Sequence, residues 1–188
     1  MQQKLEQLYN QCMAELESIG FNLSKANIGQ ITIQLSKRNN KRYGCCKQEN
    51  PDEKYKVIKK VGRKKYIQYE KFNKHTIEVS KWVMELDEKI IKNTIMHEII
   101  HCFPYCNNHG PQFKKYANFI NVKLGYNISR LGNKEKDFQN SNIQYTKEEY
   151  KYTIKCKKCG KQFHRNRLQK NFFTKYRCMC GGKLEKIS

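Results

Sequence analysis

The sequence predicts an α+β protein in two parts, a larger unit with a small antiparallel sheet over residues 1–140 and a compact metal-stabilised unit over 150–188. Three observations predict it. Apolar residues recur at helical spacing in some segments, and alternate with polar ones in others. Four cysteines gather with glycines near the end of the 188-residue chain.

The first helix spans 3–19, with Leu5, Leu8, Cys12, Leu16 and Ile19 on one face and Gly20 as its stop. A half-buried strand follows at 28–35, where Ile31, Ile33 and Leu35 alternate with Thr32 and Gln34. Residues 36–65 are basic and polar, with Gly44, Pro51 and Gly62, and read as a hairpin region with loops. Ile77 and Val79 mark another strand within 75–80. A second helix runs from Asp87 or Glu88 to Phe103, with Asp87 as N-cap and Pro104 enforcing its end. Asn107-Asn108-His109-Gly110 is turn chemistry, and Pro111 suits the first turn of a third helix that stops at Gly125. Residues 130–148 read as a linker. Trp82 and Cys12 are expected to be packed in the core, and Cys45-Cys46 lies in a polar stretch.

Lys and Arg number 38 against 17 acidic residues, a formal net charge of +21, so the surface attracts polyanions. No stretch approaches the roughly 20 apolar residues of a membrane span. Glu6, Glu15 and Glu17 within Met1–Gly20 make that segment an amphipathic helix and not an export signal, which predicts a cytoplasmic protein with no membrane partner. Nine cysteines in such a setting point to metal and not to a disulfide framework.

His97-Glu98-Ile99-Ile100-His101 carries the chemistry. Residues four apart on a helix share a face, so both imidazoles can hold one Zn²⁺. Glu98 stands beside the first ligand, where its carboxylate can take a proton from the water that such a metal activates. Chance alone would produce this pattern about 0.01 times in a chain of this composition. A catalytic zinc needs a third protein ligand and an open position. His109, in a turn directly before a helix, is the best third; Cys102, Cys106 and His75 compete. A thiolate in that place would close the site and favour a non-catalytic, nucleic-acid-binding adaptor.

HEIIH followed by His109-Gly110-Pro111-Gln112-Phe113 resembles the SprT-like metalloproteases, whose pattern is an H-E-x-x-H helix, a spacer, and His-Gly-x-x-Phe opening the next helix. The resemblance extends to the first helix, the strand before Gly44, the strand Ile77-Glu78-Val79-Ser80 and a terminal zinc ribbon. It implies a zincin-like core, a catalytic zinc on His97, His101 and His109 with Glu98 as general base, and cleavage of proteins bound or crosslinked to DNA. A substrate peptide would add to a sheet edge, for which Ile77 to Ser80 is the strand expected here.

Cys156-Lys157-Lys158-Cys159-Gly160 is a zinc knuckle, and Cys178-Met179-Cys180-Gly181-Gly182 supplies the second pair. The second pair is C-x-C where a ribbon normally has C-x-x-C, which leaves His164 open as an alternative to Cys178. Two zinc ions, one catalytic and one structural, are therefore expected. From 141 to 188 there are 13 Lys or Arg against three Glu. Aromatics are interleaved, so Arg165, Arg167, Phe172, Tyr176 and Arg177 are the residues expected to hold DNA, single-stranded because no recognition helix is evident.

Overall fold

The structure is a computed structural model describing residues 1–21, 28–37, 41–130, 132–145 and 150–187. It divides into two compact units, Met1–Tyr145 and Thr146–Ser188.

In the first unit, helix α1 (Gln2–Ser18) buries Leu5, Leu8, Cys12 and Leu16. Each such leucine contributes about 2 kcal/mol of apolar burial. The start of α1 is tied to strand β1 (Gln30–Ser36): Gln2 Oε1 accepts from Leu35 N at 3.0 Å and Gln2 Nε2 donates to Ile33 O at 3.2 Å. Strand β2 (Gly44–Pro51) follows, then β3 (Lys56–Val61), β4 (Lys64–Tyr69) and β5 (Phe72–Ser80).

The main sheet has the order β1-β5-β2, with β1 parallel and β2 antiparallel to β5. It is therefore mixed, where an antiparallel sheet was expected. The β3–β4 hairpin inserted before β5 forms its own two-stranded sheet, so β5 returns beside β1 in the parallel sense. The strand 77–80 is consequently central and cannot accept a peptide. Its main chain is already paired on both sides, Ile77 with Ile33 and with Cys46. Among the described residues, the outer edge of β2 pairs with no strand.

Helix α2 (Glu88–Ile100) starts at Asp87, whose side chain accepts from Lys89 N, and buries Ile91, Ile95 and Ile99 among Leu5, Leu8, Leu16, Ile77 and Val79. Lys92 Nζ meets Glu15 of α1 at 2.9 Å. The helix ends three residues before Phe103. Pro104 has no N–H to continue the ladder, and Cys102 and Phe103 instead close tighter i→i−3 bonds to Ile99 and Ile100. Helix α3 (Pro111–Leu124) buries Phe113, Ala117 and Ile120 and is capped by left-handed Gly125.

The stretch expected as a linker contains helix α4 (Lys134–Asn140), capped by Asn133. Phe138 stacks on Trp82 at 5.6 Å, and Tyr43 Oη donates to Asp137 at 2.5 Å. A single apolar anchor on an otherwise polar helix explains why its pattern did not announce it. No helix among the described residues is long and apolar enough to cross a membrane.

The second unit is a three-stranded antiparallel sheet in the order β7-β6-β8, built from β6 (Tyr152–Cys156), β7 (Gln162–Arg165) and β8 (Leu184–Lys186). A one-turn helix α5 (Phe172–Lys175) packs Phe172 against Ile154, Cys156, Cys178 and Leu184.

Candidate metal centre

Helix α2 carries His97 and Glu98, and His101 is its C-cap. The loop after it is fastened so that His109 folds back. Gln48 Nε2 of β2 donates to His101 O at 2.9 Å and to Asn107 Oδ1 at 3.0 Å. Asn107 Nδ2 donates to Tyr69 O at 2.8 Å, and Tyr105 N donates to Glu70 O at 3.2 Å.

The three imidazoles converge through one kind of atom. Nε2 of His97 lies 3.2 Å from that of His101 and 3.0 Å from that of His109, and the third side of the triangle is 3.3 Å. Tetrahedral zinc with bonds of about 2.0–2.1 Å separates its nitrogen ligands by about 3.3–3.4 Å, so the three atoms fit one ion and leave a fourth position open. His101 Nδ1 donates to Cys106 O at 2.6 Å, which leaves Nε2 as a bare lone pair. Burial pulls His97 down to about 3, aided by its two imidazole neighbours and opposed by a hydrogen bond to the Ser129 backbone. Burial also lowers His101 and His109. All three rings are thus neutral, the form that binds metal, at ordinary pH. Phe113, the aromatic of the His-Gly-x-x-Phe run, packs 4.8–4.9 Å from each of the three rings.

Glu98 is buried, with 5 % of its surface exposed. Burial pushes its carboxyl up to about 8, while the charge of Arg42 and the backbone of Cys46 pull the other way. Strand β2 makes room for it. A side chain at Gly44 would place Cβ 3.0 Å from both Cγ and Oε1 of Glu98 and 2.9 Å from Glu78 O. Gly44, Cys46, Gln48 and Ser129 gave no local sequence signal of these roles, because their part depends on long-range pairing.

The competing ligands lie outside the cluster. Cys102 bonds back to Glu98 O at 3.6 Å and approaches Cys46 Sγ at 3.6 Å. Cys106 is buried and its thiol is pushed up to about 12 by burial. His75 is fully buried in β5, outside the histidine cluster.

The second cluster holds Cys156, Cys159, Cys178 and Cys180, with all four sulfurs within 4.8 Å of one another. Cys156 and Cys180 are 3.5 Å apart, and Cys159 and Cys178 are 3.6 Å apart. Zinc–sulfur bonds of about 2.3 Å in a tetrahedron set sulfurs about 3.8 Å apart, so a structural ion fits here also. The shorter C-x-C pair works because two glycines follow it. Gly181 takes a left-handed φ of 77°, and a Cβ on Gly182 would lie 2.6 Å from Cys156 Sγ. The backbone of Cys159, with that of Lys158, pulls the Cys156 thiol down towards the ligating thiolate, while the neighbouring thiols hold Cys159 up. His164 is elsewhere, with Nδ1 at 3.3 Å from Thr153 Oγ1 and its ring stacked on Tyr150.

The residues expected to hold DNA divide. Arg165 and Arg167 are exposed, and Tyr176 keeps 40 % of its surface open. Phe172 is in the small core, where it cannot stack on a base, and Arg165 lies over its ring at 5.4 Å. Arg177 is exposed, but its guanidinium folds onto the carbonyls of Phe173, Thr174 and Tyr176.

The model of the SprT-like family matches residues 7–132, more than half of the chain and the whole of the histidine cluster. No curated protein matches the chain.

Proposed function

Because the chain belongs to the SprT-like family, we propose that it is a zinc-dependent peptidase with a zincin-like core, acting on proteins bound or crosslinked to DNA. The observation that carries this reading is the convergence of three neutral imidazoles beside a buried carboxyl at an open sheet edge. A bound zinc ion would supply Lewis acidity, acidifying water and polarising a peptide carbonyl. Glu98 accepts the proton of the attacking water and returns it to the leaving nitrogen. Burial by itself favours the neutral acid; the Cys46 backbone and Arg42 oppose it, and the positive charge of a zinc ion held by the three histidines would add to them in favouring the carboxylate that this requires. The free edge of β2 suits an extended substrate strand, whose main-chain bonds read no side chains. An adaptor with a thiolate-closed site is disfavoured, since Cys102 and Cys106 lie outside the cluster.

The terminal unit, with a second, structural zinc, presents Arg165, Arg167 and Tyr176 to single-stranded DNA. Free cysteines throughout the described residues suit a reducing cytoplasm. The test is cleavage of a DNA-binding protein, and of the chain itself, with and without single-stranded DNA. Glu98→Gln should abolish cleavage while two zinc ions per chain remain. Cleavage by that variant at the wild-type rate would remove Glu98 from the mechanism.

A further inference from the structure

The β3–β4 hairpin is built against its own stability. Its strands pair in register through a tight turn at Gly62, whose φ is 60°. From Lys54 to Tyr69 there are seven Lys or Arg and no acidic residue. Lys56 pairs with Glu53 at 3.2 Å; Lys54, Lys59, Lys60, Arg63, Lys64 and Lys65 make no ion pair among the described residues. Directly opposed residues share a face, so Lys60 and Lys65 confront each other, an arrangement that costs stability. On the same face Ile58 opposes Ile67, and each leaves 60 % of its surface exposed. Tyr66, opposite Lys59, is 51 % exposed on the other face. Two aliphatic side chains that keep 60 % of their surface in water beside opposed lysines add little to folding beyond their own cross-strand contact.

The base of the hairpin is firm. Asp52 N donates to Lys71 O, Glu70 N donates to Tyr55 O at 3.1 Å, and Lys71 Nζ reaches Asp52 at 3.5 Å. Its last strand and the residue after it receive the bonds from Asn107 and Tyr105 that fasten the loop carrying His109. The base of the arm is thereby tied to the loop that carries His109.

We propose that this hairpin is a binding arm for duplex nucleic acid, seated in the major groove. A two-stranded ribbon is one of the few elements that the groove, about 12 Å wide, admits. Six residues per strand span about 20 Å. On the face that carries Ile58 and Ile67, Lys60 and Lys65 at the tip reach phosphates while the two isoleucines meet the apolar surface that thymine methyls offer on the groove floor; Lys59 and Lys64 lie on the other face and add to the positive field that attracts the duplex. The site is separate from the single-strand contact proposed for the terminal unit, and it requires no peptidase activity.

The test is equilibrium binding of the full, zinc-loaded chain to a short duplex and to one of its strands alone, over a range of salt. The double variant Lys60→Gln/Lys65→Gln, on the face of the two isoleucines, should flatten the salt dependence of duplex binding by about 0.9 for each phosphate that is no longer neutralised, a change in slope of about 1.8 for the two lysines. Ile58→Thr/Ile67→Thr keeps the charge, and should weaken duplex binding at unchanged slope. Neither should alter single-strand binding as strongly, whereas Arg165→Gln/Arg167→Gln should show the opposite preference. Melting curves and zinc content establish that each variant is folded. Duplex affinity and slope within twofold of wild type in both hairpin variants would overturn the proposal. So would loss of binding to phosphatidylserine vesicles with duplex binding intact, which would assign the arm to a membrane surface.

Discussion

Gly44→Ala tests whether strand β2 positions the base. The substitution is free of backbone strain, because Gly44 does not take a left-handed φ. Its effect is packing alone. The new Cβ would lie 2.9 Å from the carbonyl oxygen of Glu78 and 3.0 Å from Glu98 Cγ and Oε1, where ordinary contact begins at 3.4 Å. Glu78 belongs to the central strand, whose ladders to β1 and β2 hold that carbonyl in place. The Glu98 carboxylate can yield by the about 0.4 Å that restores its own contact, part of the roughly 1 Å misplacement that costs about 10²-fold in rate, while the closer contact with the Glu78 carbonyl is relieved by a give of about 0.5 Å in the β2 backbone at position 44. The shift also strains the hydrogen bond from the Cys46 backbone. Together these predict a fall in kcat of about tenfold, with about 1–3 kcal/mol of overpacking cost to stability. Zinc content should stay at wild type, since Gly44 touches none of the three imidazoles. The assay is cleavage of a DNA-binding protein with kcat and KM resolved, alongside zinc titration. Unchanged kcat with raised KM would mean that β2 itself had moved from the substrate path and that Glu98 had stayed, which refutes the positioning argument.

Two further predictions concern stability. Burial holds His75 down to about 4, against a weaker opposing contribution from the Ile28 backbone. The unfolded chain, with an imidazole near 6.5, takes up that proton first, so stability is full above about pH 6.5 and is lost as pH falls towards about 4, by about 3 kcal/mol in all. His75→Phe should flatten this acid limb in urea titrations of the zinc-loaded protein; an unchanged limb would exonerate His75. Among the described residues the apolar core of the terminal unit is Ile154, Cys156, Phe172, Cys178 and Leu184, two of them candidate ligands, so a bound metal would supply most of its folding free energy. Cys178→Ser, or Gly182→Ala with its 2.6 Å clash on Cys156 Sγ, should unfold that unit and leave the melting of Met1–Tyr145 in place. Loss of both transitions together would contradict the division into units.

The parts of the site that the sequence made legible are those built by local spacing. His97 and His101 are a turn apart on one helix, and His109 stands in a turn directly before the next, so the candidate ligands are legible from spacing alone, although Gln48, Tyr69 and Glu70 fasten the loop that brings His109 back. Strand β5 shows where that reasoning stops. Ile77 and Val79 alternate with Glu78 and Ser80 as an exposed strand would, yet Glu78 is nearly buried, satisfied by Lys47 at 2.6 Å and Gln34 at 3.0 Å from the strands on either side. Alternation reports a polar residue and cannot report that its partners lie on two neighbouring strands. Phe172 failed for the same reason: of two adjacent aromatics, composition does not say which turns inward. The environment of Glu98 is the clearest case. Its space comes from a missing Cβ at Gly44, its backbone hydrogen bond from Cys46, and the open edge beside it from β2, all within a stretch that reads as a polar loop. A metal site needs only that its ligands converge, which neighbouring residues can arrange. The role proposed for Glu98 needs in addition a cavity, a donor and an accessible edge, and here a strand distant in sequence supplies all three.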